Sequence, residues 1–571
     1  MKIVIFSGGT GSVQLQNGLY NTFGKYVLDY TVITNLADNG LSTGECRKVM
    51  DGKIMGPSDL RKNQMLRAKM ENSIPDCLYG FLNDRITLSS TDIKSHLLDR
   101  VDKLKIDLQE RWVLASGIEE FFSCPISSQI DYIDFSVSNI IYSGIAKKHN
   151  YSLDEAGKVM ESILNIPENS VISNTDVPMY LMAKTESGYI IHDEAEIVSW
   201  NNPDDKIVDC FFVDNNNEHI IPKLSKLSEE AILSADIIIF SSGTQWSSLI
   251  PTYKSIGFSE AISKSPAKKY LVMNATQDAD MKGVTGDGLL DILMKYLPKD
   301  TNIISALDGD PILIPDNYSK ISAFLLSKGK HDGNALVKTI FDHYYNYPKI
   351  SDQYVFDYDD TIVARGSQHS RVSKSNVEKI QSLYNTTNNV WISTGNTINA
   401  LKHNAFVGIP TLADGGVNLY KFNKDGIPQF QKCIDDDLLF SQSDIEYITN
   451  DLIECGIDIS KIQIRGKVMI SIKPISPEYR QSIKILLQSK LGNDLVVKLS
   501  GRTTIDITKP KLDKILATET IFTNRFTYIG DEGESGNDHE ISKCGHCNFI
   551  PVKDVKDTNM YLAILLGNNN D

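Results

Sequence analysis

Short apolar runs alternate with helix-length amphipathic segments along the whole chain, the pattern of α/β units arranged around parallel sheets. Lys2–Phe6, Tyr30–Thr34, Ile237–Phe240 and Lys269–Met273 read as strands. They are continuous apolar runs, as expected of strands covered on both faces. A helical stretch, Asn334–Tyr345, leads to Tyr347-Pro348-Lys349, and the proline-containing joint marks a domain boundary. The pattern predicts a first domain over 1–345 and a second over 350–571. No internal repeat is visible, and the one low-complexity tract is Asn568–Asn570.

Length agrees, since 571 residues exceed what one ordinary core holds. A net charge of −15 argues against nucleic acid as a partner, because phosphate-backbone affinity needs clustered Lys and Arg. It leaves room for a local anion pocket built from backbone amides and a few cations. No apolar run is long enough to span a bilayer, so no membrane partner is expected. Met1–Phe6 is apolar but runs into Gly8-Gly9-Thr10-Gly11-Ser12 instead of a small-residue cleavage site. Eight scattered cysteines fit a reducing compartment, so the cytoplasm is the expected location. Cys544-Gly545-His546-Cys547 has the spacing of a redox motif or half a zinc site, but only His539 stands nearby as a further ligand, and a structural loop is expected.

Candidate chemistry concentrates in Val355-Phe356-Asp357-Tyr358-Asp359-Asp360-Thr361. A buried strand ending at Phe356 would deliver Asp357 and Asp359 to its carboxyl edge, where one carboxylate can attack phosphorus and the other can handle the proton. A solvated acidic turn is the alternative reading of this stretch alone. Three further segments follow in order: Asn389–Asn396, a strand ending in hydroxyl side chains; Leu512-Asp513-Lys514; and Phe526–Asp531 with Gly536-Asn537-Asp538-His539-Glu540-Ile541. Asp531 and Asp538 offer the hard oxygens that Mg²⁺ needs.

From Asp357 onward the chain resembles the haloacid-dehalogenase (HAD) phosphatase superfamily. The resemblance implies that Asp357 attacks phosphorus and that Asp359 protonates the leaving oxygen and later activates water. Thr394, or Ser393, would bond a phosphoryl oxygen, and Lys514, with Lys511 as competitor, would neutralise charge. Asp357, Asp359, Asp531 and Asp538 would form the Mg²⁺ site. The insertion at about 406–502 resembles the α/β cap of the phosphomannomutase and sugar-phosphatase branch, with Asp414–Tyr420 as the turn leading into it. Arg465, Lys467, Arg480 and Arg502 are its candidate contacts to a small sugar-phosphate-like metabolite. Two departures stand out: Asp360 replaces the family's usual Gly, and Asn396 its usual Arg. Hydrolysis is expected, with a phosphomutase as the rival.

The first domain carries Gly8–Ser12, Asn35–Gly44, Gly56–Asn63, Val177–Leu181, Ser242–Pro251 and Asn274–Gln277. On these segments it resembles the CofD/YvcK family, which joins 2-phospho-L-lactate transferases and nucleotide-sugar-binding gluconeogenesis factors. Gly8, Gly9, Thr10, Gly11 and Ser12 would bring backbone amides to a pyrophosphate, with Gly243 and Thr244 as a second such loop. Asn35 and Asp38 are candidates for a ribose, base or metal. Asp59 and Arg61 would bind a metal and an anionic group, or form a local salt bridge. The resemblance implies a nucleotide or nucleotide-sugar ligand and a homodimer. A bifunctional enzyme is expected, with a metabolite-sensing regulatory protein as the alternative. The expected fold class is therefore α/β: a Rossmann-like doubly wound parallel sheet domain, followed by a HAD-like α/β domain with an inserted α/β cap.

Overall fold

In the computed structural model, residues 1–37, 40–87, 92–275, 278–305, 321, 326–327, 330–345, 353–365, 370–401, 404, 406–500, 503–523, 525–531 and 538–568 are described. The chain divides into two units, Met1–Tyr344 and Tyr345–Asp571.

Six strands form the main sheet of the first unit, which also holds a four-stranded antiparallel sheet within 180–220 and a two-stranded one within 326–331: β1 (Lys2–Ser7), β2 (Asp29–Thr34), β3 (Val171–Ser173), β4 (Ile237–Phe240), β5 (Lys268–Val272) and β6 (Asn302–Ile304). All neighbours run parallel, in the order β6-β5-β4-β1-β2-β3. The four strands expected from sequence appear within one residue of their expected ends. Ile5, Phe6, Val32, Ile33 and the whole of β4 are buried, and each such side chain contributes about 1.5–3 kcal/mol by leaving water. The order of connection reverses between β1 and β4, so a crevice opens at their carboxyl ends. The long excursion between β2 and β3 is helical, and helices Leu108–Phe122 and Val137–Lys148 cross closely. A Cβ on Gly144 would lie 1.8 Å from the Gly117 carbonyl oxygen.

The second unit has a seven-stranded sheet: β7 (Gln353–Asp357), β8 (Val390–Ser393), β9 (Pro410–Ala413), β10 (Asn418–Phe422), β11 (Pro428–Cys433), β16 (Phe526–Gly530) and β17 (Cys547–Pro551), in the order β11-β10-β9-β8-β7-β16-β17. The five strands from β9 to β17 run parallel, and β10 and β11 extend the β9 edge antiparallel. Between β11 and β16 sits a second, four-stranded antiparallel sheet made of β12 (Ile462–Arg465), β13 (Met469–Ile472), β14 (Val496–Ser500) and β15 (Thr504–Thr508). Helices Gln442–Glu454 and Arg480–Leu491 cover it, and Ile448, Leu452, Ile470, Leu487, Val497 and Ile507 form its own core.

The insert is drawn differently from the expected span of about 406–502. β9, β10 and β11 fall inside that span but belong to the main sheet, and the insert keeps β15 beyond it. Alternation marks a hairpin but does not say which sheet the hairpin joins. Among the described residues, no helix is long and apolar enough to cross a membrane.

Candidate active site

β7 runs between β8 and β16, with Asp357 level with Ser393 and Phe356 level with Ile529. Three strands therefore end together, and the residues that follow them, Asp359, Thr394 and Asp531, leave the sheet at one edge. Lys514 opens the helix Lys514–Ile521, capped by the Asp513 carboxylate, and points into the same place. Its Nζ donates to Asp357 Oδ1 at 2.6 Å and to Asp538 Oδ1 at 3.0 Å, and the Tyr528 hydroxyl donates to the same Asp538 oxygen at 3.0 Å. Lys511, the sequence competitor, occupies a left-handed turn position at φ 71°.

Burial sets the electrostatics. Asp357, Lys514 and Asp538 are 4%, 7% and 1% exposed. Desolvation pushes the Asp357 carboxyl well above its usual range, with Lys514 opposing. Burial alone would lower the Lys514 ammonium, but Asp357, Tyr528 and Asp538 outweigh it and hold it well above its ordinary value.

Oxygens of Asp357, Asp531 and Asp538 lie within 4.8 Å of one another. Asp538 Oδ2 is buried with no hydrogen-bond partner, an orphan that a hard cation would satisfy. Gly530 permits this approach, since a Cβ there would sit 2.3 Å from Asp538 Oδ2. The donor set, all carboxylate oxygen, fits Mg²⁺ better than a soft metal.

Asp359, counted among the metal ligands from sequence, stands outside this triad. Its Oδ2 accepts from Thr394 Oγ1 at 3.1 Å and from Asn396 Nδ2 at 2.8 Å. The Thr394 hydroxyl, expected to face a phosphoryl oxygen, is thus engaged with Asp359. Asn396, noticed only as a departure, is a direct partner of the second aspartate.

A cavity of about 480 Å³ lies over these groups, walled on the insert side by Arg465, Lys473, Lys498 and Asp506. Of the cap cations picked from sequence that are among the described residues, only Arg465 is found on that wall. Arg480 ties its helix to the Ser500 and Thr504 carbonyls, Lys467 sits in the β12–β13 turn, and Arg502 lies outside the described residues. Lys473 and Lys498 were missed, because a Lys at the end of β13 or inside β14 has the same sequence appearance as a solvated strand cation. Cys544 and Cys547 are free thiols, the first in the loop before β17 and the second opening that strand, with Cys544 Sγ 3.4 Å from His546 Nδ1, and among the described residues neither joins a metal-ligand cluster.

In the first unit, Gly8–Ser12 connects β1 to the helix Val13–Phe23. Ser12 Oγ accepts from Ser7 Oγ at 2.6 Å and from Gln16 Nε2 at 2.7 Å, and Asn63 Nδ2 donates to the Gly8 carbonyl at 3.1 Å. A Cβ on Gly11 would fall 2.0 Å from the Ser242 carbonyl oxygen, and one on Gly9 would fall 2.4 Å from Asp59 Oδ1. These contacts bring Gly8 and Gly9 against Asp59 and Gly11 against the Ser242–Thr244 loop, while Thr10 is exposed. Gly243 exchanges two hydrogen bonds with the Asn274 side chain, at 2.9 and 3.0 Å, and Thr244 Oγ1 donates to Ser248 at 3.1 Å. Asp59 pairs with Lys62 at 3.5 Å, not with Arg61. Arg61 donates to Asn139, whose amide holds Ser42 and Ser58, so a residue far along the chain completes the Ser42 and Ser58 segments. Asn35 accepts locally from the Ala37 amide. Asp38, Thr276 and Gln277 lie outside the described residues.

Comparison with known proteins assigns the first part of the chain to a family. The family model for 2-phospho-L-lactate transferase CofD matches residues 3–347, and the chain belongs to that family. A gluconeogenesis factor of Listeria innocua is 26% identical over 273 residues, 48% of this chain and 66% of the relative, so the match spans just under two thirds of that protein's length. The crystal structure of a UPF0052 family member from Bacillus halodurans covers 60% of this chain and 98% of its own, at 20% identity and TM-score 0.45. An N-terminally truncated IMP-nucleotidase of Plasmodium falciparum aligns with 38% of this chain and 70% of its own, at 17% identity and TM-score 0.28.

Proposed function

We propose that the second unit is a Mg²⁺-dependent phosphatase of the HAD type, acting on a small phosphorylated metabolite through a phosphoaspartyl intermediate. The observation that carries this reading is Lys514 held between Asp357 and Asp538, with Asp531 in the same cluster. Asp357 forms the bond to phosphorus while the leaving oxygen takes a proton from Asp359. Asp359 then removes a proton from water, which attacks the phosphoaspartyl group, frees phosphate and restores the Asp357 carboxylate. Thr394 and Asn396 hold one oxygen of Asp359 and leave the other to carry the proton. Lys514 keeps Asp357 oriented and offsets negative charge on the transferring group. A Mg²⁺ held by Asp357, Asp531 and Asp538 would supply further charge neutralisation at the phosphoryl oxygens. The insert shields the reaction from bulk water and reads the rest of the substrate.

The first unit is read as a nucleotide or nucleotide-sugar domain, its phosphate cradle made by Gly8–Ser12 and Ser242–Thr244 at the crevice between β1 and β4. Phosphate release from a panel of phosphorylated metabolites, run on the full chain and on Asp357→Asn, tests the phosphatase. Release that needs Mg²⁺ and vanishes in the variant supports it, and equal release from both proteins rejects the nucleophile. Incubation of the full chain with nucleotide sugars separates a transferase, which consumes the donor, from a sensor, which binds and returns it unchanged.

A further inference from the structure

Cys544-Gly545-His546-Cys547 takes no part in the chemistry proposed for either unit. The four residues form one β-turn: the Cys547 amide donates to the Cys544 carbonyl at 3.0 Å, which brings the two Cα atoms within about 7 Å. A disulfide spans about 4.4–6.8 Å between Cα atoms, so the turn holds the pair near bridging range. Both side chains pack against the same cluster, built from Val355, Phe522, Phe526, Tyr528 and Ile541.

His546 lies within the turn, and its ring is held from two directions. Nε2 lies 3.1 Å from the Phe522 carbonyl oxygen, and the ring meets that of Phe526 edge-on, with centroids 5.6 Å apart. A carbonyl oxygen only accepts, so Nε2 carries the proton and Nδ1 keeps its lone pair. Nδ1 lies 3.4 Å from Cys544 Sγ, in place to take the thiol proton, while Glu519 Oε1, 3.8 Å from the same sulfur, competes as an acceptor. Among the described residues, Cys544 is the one thiol within hydrogen-bond reach of an imidazole. Burial, and next the Cys544 charge, push the Cys547 thiol up to about 12, so it stays protonated at neutral pH. The attacking species is a thiolate, which gives the two sulfurs different parts: Cys544 reacts first and Cys547 follows.

We propose that Cys544, His546 and Cys547 form a peroxide-responsive thiol site, in which Cys544 is oxidised first and Cys547 then closes a reversible disulfide. The Cys544 proton passes to His546 Nδ1, and the thiolate attacks one oxygen of hydrogen peroxide. An S–O bond forms, the O–O bond breaks, and the leaving oxygen takes the proton from His546 and departs as water. Cys544 is then a sulfenic acid, and the charge that helped to hold Cys547 protonated is gone. The Cys547 sulfur attacks Cys544 Sγ, the S–S bond forms, the S–O bond breaks, and the departing oxygen leaves as water with the Cys547 proton. Two thiols and one peroxide thus give one disulfide and two waters. The site stands independently of the phosphatase reading, although it adjoins that machinery: the short helix His539–Ser542 leads from Asp538 toward the turn, and Glu519 lies on the helix that Lys514 opens.

The test treats the reduced full chain with hydrogen peroxide and maps its peptides by mass spectrometry, with the exposed Cys77 as internal reference. In the parent, Cys544 and Cys547 disappear together into one intramolecular disulfide, about tenfold or more faster than Cys77 is oxidised, and dithiothreitol restores both. Cys547→Ser accumulates a Cys544 sulfenic acid that dimedone traps, and Cys544→Ser leaves Cys547 reduced over the same time. His546→Gln slows the loss of Cys544 about tenfold. Each serine replaces a single atom, so those two variants decide the site even where His546→Gln does not fold. Cys544 and Cys547 still reduced after Cys77 has reacted, or a parent sulfenic acid at Cys544 that never passes to Cys547, overturns the site. An unchanged rate in folded His546→Gln overturns the part given to the imidazole.

Discussion

Asn396 donates a 2.8 Å hydrogen bond to Asp359, and its own carbonyl oxygen faces Arg465 of the insert. Asn396 thus links the second aspartate to the cavity wall. Removing the amide in Asn396→Ala deletes one of two donors to a carboxylate, an interaction of about 1.5–3 kcal/mol. Steady-state kinetics with saturating Mg²⁺ should show kcat reduced about tenfold or more. An unaltered kcat means the contact does no catalytic work.

Asp359 as general acid has its own signature. A p-nitrophenolate leaves without a proton, whereas an alkoxide does not. Asp359→Asn should therefore lose much more activity on alkyl phosphates than on p-nitrophenyl phosphate. Equal losses on both would count against the assignment.

Lys514 holds two buried carboxylates in place, and Lys514→Met leaves them facing each other. Breaking a buried pair in this way costs about 3–5 kcal/mol. Urea unfolding of the variant in metal-free buffer should show that loss, and Mg²⁺ should recover part of it by binding the folded site. If Mg²⁺ leaves the midpoint where it was, Asp357, Asp531 and Asp538 do not form a cation site.

Gly11→Ala sets a Cβ 2.0 Å from the Ser242 backbone oxygen, whereas Gly80, inside the helix Asp76–Asn83, has open space around the same position. Gly11→Ala should cost about 1–3 kcal/mol by forcing the two candidate phosphate loops apart. Gly80→Ala should stabilise by about 0.5–1 kcal/mol. Chemical denaturation of both variants checks the contrast, and similar effects would mean the loops do not touch.

Asp278 follows the Gly243-bracing Asn274 and sits beside Asp280. Burial, and next the Asp280 charge, push its carboxyl up to about 8. A carboxyl raised on folding gives its full stability below the unfolded value and loses it as pH climbs through the folded one. Asp278→Asn removes this loss. The melting temperature of the variant relative to the parent should rise between about pH 5 and pH 8, following the raised carboxyl. A constant difference across that range would show that Asp278 ionises normally.

Much of this architecture was legible in the sequence because parallel strands announce themselves as unbroken apolar runs, as at Ile237–Phe240. Asp357, Asp531, Asp538 and Lys514 were legible for a related reason: each sits at or near the end of a strand or the start of a helix, where order along the chain fixes place in space. Partner choice was not legible. Asp359 turned to Thr394 and Asn396 instead of the other carboxylates, and Arg61 turned to Asn139, not Asp59, because hydrogen-bond partners are settled by packing between distant segments. Lys473 was hidden likewise. Its apolar neighbours Ile470 and Ile472 declare the core of the insert, while the cavity side of β13 declares nothing in the sequence.

The chain leaves the main sheet after β11 through Asp435–Leu439 and comes back through Lys509, whose Nζ donates to the Asp437 and Leu439 carbonyls at 2.9 and 2.7 Å. Departure and return are side by side. A module with neighbouring termini can thus be exchanged at this doorway while the strand ends that gather Asp357, Lys514, Asp531 and Asp538 stay as they are, which makes the insert a swappable cassette on a fixed frame.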